Sequence, residues 1–213
     1  MSEISYQQLD PPNRFLLGPG PSNIHPRVQK AMSAPMVGHL DPYFLTIMDD
    51  TVALLRALFR TENRLTFPIS GTGSAGMEAG FCNFLEPGDV AVIGVNGLFS
   101  ERMVDNAMRC GAEVIQVPAE WGRIVEPGAI EAALKSRRRV KLLALVHAET
   151  STGILQPLSE ASRLARQYET LFLLRLPQLP SSMNSFLLWI WSVPFCLDQT
   201  GKYSSVSLTF SGL

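Results

Sequence analysis

Apolar residues recur along this chain with two alternating periods. Between residues 41 and 59, Phe44, Ile47, Met48, Val52, Leu55 and Phe59 stand three or four apart, which predicts a helix over Asp41–Phe59 with that face in the core. Shorter apolar and β-branched runs then take over, and Leu65–Ile69, Val90–Val95, Glu113–Val117 and Val140–Val146 read as strands. Helix-forming stretches separate them at Ala75–Leu85, Glu101–Cys110, Pro127–Lys135 and Pro157–Gln167, and a short helix is predicted at Pro26–Met32. Gly111 suits the end of one helix and Pro127 the first turn of the next. Repeated strand–helix units predict an α/β fold with a doubly wound, mainly parallel sheet.

One junction in this pattern carries chemistry. Ser70-Gly71-Thr72-Gly73-Ser74-Ala75-Gly76 lies between a predicted strand and a predicted helix, where a helix exposes its first unpaired N–H groups. Glycine admits close approach of a ligand to the backbone, the hydroxyls add donors, and the helix dipole favours an anion by about 0.3 to 1 kcal/mol. Phosphate is the natural occupant. Gly71, Gly73 and Gly76 also satisfy the dinucleotide fingerprint in spacing, yet Asp89 precedes the next strand instead of ending it, so the ribose lacks its acid. The hydrolase nucleophile elbow fails because Thr72 stands where glycine is required, and Gly201-Lys202-Tyr203 lacks the other residues of a Walker loop. A plain glycine-rich turn remains the bland alternative.

Composition narrows the ligand class. With 46% hydrophobic residues in 213, the chain is long enough for a full core, and a net charge of −1 with pI near 6.3 gives no footprint for nucleic acid. Cys82, Cys110 and Cys196 form no close pair and no metal spacing, which points to a reducing compartment, and His25, His39 and His147 read as structural, so no metal site is expected. Residues 1–10 have no basic flank followed by an apolar run, which points to a cytoplasmic protein, or a peroxisomal one if the source is eukaryotic. Phe186–Trp191 is apolar but far shorter than a membrane span.

Further motifs stand in order around the glycine-rich loop: Leu17-Gly18-Pro19-Gly20-Pro21, Val37-Gly38-His39, Glu86-Pro87-Gly88-Asp89, Asn96-Gly97-Leu98-Phe99 and His147-Ala148-Glu149-Thr150-Ser151-Thr152-Gly153. Together they resemble the alanine/serine–glyoxylate aminotransferases, the class V branch of the pyridoxal phosphate enzymes with the aspartate aminotransferase type of fold (fold type I). The resemblance runs over about residues 16–174. It implies that Thr72, Gly73 and Ser74 hold the phosphate of pyridoxal 5'-phosphate, that Phe99 stacks on its pyridine ring, and that Thr150 bonds its phenolic oxygen. Gly18, Pro19 and Gly20 would cover the pocket and touch the substrate. A small amino acid, alanine or serine, and a 2-oxo acid, glyoxylate or pyruvate, are the implied substrates, and a homodimer the implied assembly. Read without the resemblance, Phe99 is a core residue, Gly18–Pro21 a stiff turn, Thr150 a helix cap, and Glu149 a pin for its loop.

The pattern changes after Leu174. Only Arg175, Asp198 and Lys202 are charged in the last 39 residues, which hold eight serines and two of the three tryptophans. In the family the strand at 171–174 continues into an aspartate that pairs with the ring nitrogen; Arg175-Leu176-Pro177 follows here. Lys202 lies near the spacing of the family's imine-forming lysine, in a different context. The expected organisation is therefore an N-terminal arm over 1–22, a partial large domain over 23–174, and a tail over 175–213 unlike the family, as a shifted reading frame or mis-splicing would produce. The large domain is expected to be truncated and the family's small C-terminal domain to be absent. A catalytically inactive fragment is the alternative to an active transaminase.

Overall fold

The computed structural model describes residues 9–17, 23–59 and 62–176, together with the backbone of 195–197 and 203–210. Residues 1–36 and 37–213 form two compact units. In the first, the Asn23 side chain, ahead of helix α1 (Pro26–Met32), accepts from the Leu16 N–H at 2.8 Å and donates to the Arg14 carbonyl at 2.8 Å. His25 caps that helix by accepting the Arg27 N–H on Nδ1, a structural role of the kind expected for it.

The second unit begins with α2 (Pro42–Phe59), started one residue later than predicted because Asp41 Oδ1 accepts the Tyr43 N–H at 2.8 Å and acts as its cap. Its apolar face is only partly a core face. Leu55 and Phe59 are buried, whereas Ile47 is 42% exposed and Phe44, Met48 and Val52 are half-buried, because only the C-terminal end of the helix reaches the sheet. Strand β1 (Thr66–Ser70) follows, then α3 (Gly73–Phe84), β2 (Val90–Val95), α4 (Leu98–Arg109), β3 (Glu113–Pro118), α5 (Pro127–Lys135), β4 (Leu142–Val146), the two-residue strands β5 (Ala148–Glu149) and β6 (Ile154–Leu155), α6 (Ser159–Gln167) and β7 (Leu171–Arg175). Strands β8 (Phe195–Leu197) and β9 (Tyr203–Phe210) lie in the tail.

Four strands form an all-parallel sheet in the order β3-β2-β4-β7. Side chains alternate along them, as a strand's period of two requires. Val92, Leu143, Leu145, Phe172 and Leu174 face one layer with Ile130, Leu134, Ala161 and Leu164 of α5 and α6. Ala91, Ile93, Leu142, Ala144, Val146 and Leu173 face the other, against Met77 and Phe81 of α3 and Met103, Val104 and Ala107 of α4. Helices on both faces of a parallel sheet make this the doubly wound α/β fold expected, and the wholly apolar inner strands β2 and β4 are what burial on two faces demands. The first strand departs from a single sheet: β1 pairs in parallel with β9, which pairs antiparallel with β8. Among the described residues no helix is long and apolar enough to cross a membrane.

The absence of a close cysteine pair, read from sequence spacing, is corrected by the fold. Cys82 on α3 and Cys110 at the end of α4 bring their sulfurs to 3.4 Å, because both helices pack antiparallel to their strands on the same face of the sheet. Burial and the neighbouring Cys82 thiol push the Cys110 thiol up to about 11. Oxidation by a small-molecule disulfide is expected to bridge the two, closing a loop of 28 residues and adding about 3 kcal/mol of stability. Mass spectrometry of the alkylated protein checks it: two thiols lost from Cys82 and Cys110, with a higher melting midpoint, is the expected result.

Candidate functional site

The carboxyl ends of the parallel strands feed the N-termini of α3 and α4, and there the site is built. At α3, Thr72 sits in extended conformation and its Oγ1 accepts the Ala75 N–H at 3.3 Å, while its carbonyl accepts the Gly76 N–H at 3.2 Å. Thr72 Oγ1 thus caps the helix as an acceptor, and its own O–H is still available to donate. Gly73 and Ser74 are left with the first-turn N–H groups that have no acceptor within the helix. Gly73, Gly76 and Gly80 are buried, which holds α3 close to its neighbours. Ser74 is exposed, and its Oγ accepts Arg102 Nη1 at 3.3 Å, so a guanidinium from α4 stands at the N-terminus of α3.

At α4, the turn from β2 is closed by Ser100. Its Oγ accepts the N–H groups of Asn96 and Gly97, both at 3.0 Å, and donates to the Gly97 carbonyl at 2.7 Å. The helix starts three residues earlier than the sequence pattern predicts, so Phe99 lies in its first turn. Glu149, 1% exposed, fixes that turn from the neighbouring loop. Its Oε2 accepts the N–H groups of Phe99 at 3.2 Å and Ser100 at 3.3 Å, and its Oε1 accepts the Ser151 hydroxyl at 2.6 Å and the Ser151 N–H at 3.2 Å. A buried carboxylate on a helix N-terminus is favoured by both charge and hydrogen bonds. Glu149 pins, as the bland reading of the sequence has it. Thr150 follows directly, half-buried in the turn between β5 and β6.

Arg175 ends β7, 3% exposed, with its guanidinium carbon 3.4 Å from the centroid of the Phe99 ring. Arg102 approaches the same ring at 5.9 Å. Burial lowers the Arg175 pKa to about 10; Glu149 opposes the shift and Arg102 adds to it. Among the described residues its Nη1 has no hydrogen-bond partner, nor has the buried Thr152 Oγ1.

Of the residues expected at the site, the fold joins Thr72, Gly73 and Ser74 on α3 to Phe99 on α4 through Arg102, and Thr150 to Phe99 through its neighbour Glu149. Gly18, Pro19, Gly20 and Lys202 lie outside the described residues. Arg102 and Arg175 were missed. Arg102 had a signal, since it lies one helical turn past Phe99 and therefore on the same face; Arg175 had none beyond its departure from the family pattern. His147 is structural, its Nδ1 2.9 Å from the Gln156 carbonyl. Among the described residues no His, Cys, Asp or Glu side chains cluster as a metal site.

Two substitutions test this geometry. A methyl at Gly97 would stand 2.5 Å from Glu149 Cγ and 2.7 Å from Ser151 Oγ, so Gly97→Ala is expected to destabilise by about 1 to 3 kcal/mol in urea unfolding. The folded pKa of Arg175 lies below its unfolded value, so its burial is a cost fully present below about pH 10 and relieved only as pH rises above it, on the order of 3 kcal/mol at neutrality. Arg175→Met is therefore expected to raise the urea midpoint at pH 7; a lower midpoint would contradict it.

The family described as Aminotransferase class-V matches residues 15–181. The chain is 40% identical over 167 residues to the (S)-ureidoglycine–glyoxylate transaminase of Bacillus subtilis, covering 78% of this chain and 40% of that protein. It is 38% identical over 210 residues to the alanine–glyoxylate aminotransferase of Rattus norvegicus, covering 99% of this chain and 47% of that protein. Among solved structures, an alanine–glyoxylate aminotransferase from Nostoc sp. superposes with a TM-score of 0.77 at 50% identity, over 80% of this chain and 45% of that one. The chain thus spans less than half the length of these relatives. Aminotransferases of class V depend on pyridoxal phosphate and share the type I fold found here. By sequence, fold and the loop at the N-terminus of α3, this chain belongs to the class V aminotransferases.

Proposed function

We propose that this chain is the phosphate-anchoring part of an aminotransferase that moves the amino group of alanine or serine to glyoxylate or pyruvate. The observation that carries the reading is the N-terminus of α3, where buried Gly73, the Ser74 hydroxyl and the Arg102 guanidinium come together. A helix N-terminus with a guanidinium beside it is a site for a dianionic phosphate. The names of the relatives support glyoxylate as acceptor, two of them adding alanine as donor. A homodimer and a cytoplasmic or peroxisomal location belong to the same proposal.

The residues present fit one end of pyridoxal phosphate and not the other. Its phosphate suits Gly73, Ser74 and Arg102. Its ring finds one face of Phe99 already covered by the Arg175 guanidinium at 3.4 Å, and in place of the carboxylate that the family sets after Leu174 for the ring nitrogen this chain has Arg175 itself. That disagreement favours a second reading, in which this chain alone anchors phosphate without turning over substrate. In either reading the chain's own residues have defined work: Thr72 holds the α3 terminus in shape, Ser74 and Arg102 receive the anion, and Glu149 keeps the first turn of α4 in place.

Isothermal titration with pyridoxal phosphate tests the anchor. Ser74→Ala and Arg102→Ala are each expected to weaken binding about tenfold, as loss of a charge-assisted hydrogen bond does. Unchanged affinity in both would remove the anchor from α3. Pyruvate formed from alanine and glyoxylate by the purified chain supports transamination; tight phosphate binding without pyruvate supports the second reading.

A further inference from the structure

The arginine on Phe99 leads beyond that reading while resting on its phosphate anchor. With the guanidinium carbon 3.4 Å from the ring centroid, Arg175 already occupies the contact distance of a stacked plane, and no second flat ring fits between them. The same guanidinium is buried, and among the described residues its Nη1 lacks an acceptor. A buried charged donor without a partner is costly, and a guanidinium is shaped to meet an oxyanion with two parallel N–H groups. Arg102 shares the Phe99 ring and also donates to Ser74 at the N-terminus of α3. Two cations and a helix N-terminus are therefore linked through one ring. The carboxylate joined to this group, Glu149, is engaged through both oxygens with Phe99, Ser100 and Ser151. It cannot satisfy Arg175 as well.

We propose that this site is built for a compact oxyanion, inorganic phosphate or a small phosphate monoester, with Arg175 as a ligand that also excludes an aromatic ring from the face of Phe99 it covers. The selectivity is the reverse of that of an aromatic phosphate ester site. Charge favours any phosphate, and the covered face disfavours one that must stack a ring there.

Equilibrium dialysis of the full chain against inorganic phosphate and against pyridoxal phosphate, run separately, tests it. The unaltered chain is expected to bind inorganic phosphate at least as tightly as pyridoxal phosphate. Arg175→Ala, which opens the ring face, should weaken inorganic phosphate about tenfold and tighten pyridoxal phosphate severalfold, moving the two ligands in opposite directions. Arg175→Met, which keeps the face covered without the charge, should weaken both, and it serves alone if the alanine variant does not fold. A tenfold preference of the unaltered chain for pyridoxal phosphate overturns the inference and leaves the aminotransferase reading standing. So does a common direction in Arg175→Ala, or phosphate binding unchanged in Arg175→Met. If the unaltered chain binds neither ligand, the anchor at α3 fails, and this inference with it.

Discussion

The buried Glu149 carboxylate is the interaction on which the site depends. Four hydrogen bonds converge on it, two from the first turn of α4 and two from Ser151 in the loop between β5 and β6. A carboxylate removed from water relies on such donors to offset its desolvation. The result is rigid geometry between a helix and a loop that are about fifty residues apart in the chain. Phe99 is placed by its own backbone N–H, Thr150 by the residue before it. Gly97 has no side chain because Glu149 fills the space that one would take.

From that pin the charges around Phe99 follow. Glu149 partly offsets the cost of burying Arg175, and Arg102 increases it. Arg102 is held instead at Ser74, on the adjoining helix. The α3 terminus and the α4 terminus thus share a cationic environment, although each has the ordinary form of a strand-to-helix turn. An open α/β sheet gathers its ligand groups at the carboxyl ends of its strands, and here both turns and the end of β7 lie on that side. The family explains the turns. It does not explain Arg175.

How much of this was legible in the sequence depended on the range of the interactions. α1 and α5 match the predicted spans at both ends, since proline in the first turn and apolar spacing are local signals. The parallel sheet was legible from the apolar runs of β2 and β4 alternating with helices, and the α3 loop from its glycines and hydroxyls. What failed was long-range. The pairing of β1 with β9, the approach of Cys82 to Cys110, and the seat of Arg175 on Phe99 each join segments that no periodicity connects. The face of α2 misled for a related reason: spacing marks which residues share a side of a helix, and not how far along that side the core extends. Boundary shifts at α3 and α4 came from caps, Thr72 and Ser100, that hold small residues in helical conformation despite their low propensity.

The central claim is that an oxyanion binds at the N-terminus of α3 beside Arg102 while Phe99 keeps Arg175 on its face. A crystal of the full chain soaked in pyridoxal phosphate measures this directly. The account predicts phosphate density against Gly73 and Ser74, with Arg175 still on Phe99 and the pyridine ring held away from it. A pyridine ring stacked on Phe99 with Arg175 displaced, or phosphate bound away from α3, would contradict it.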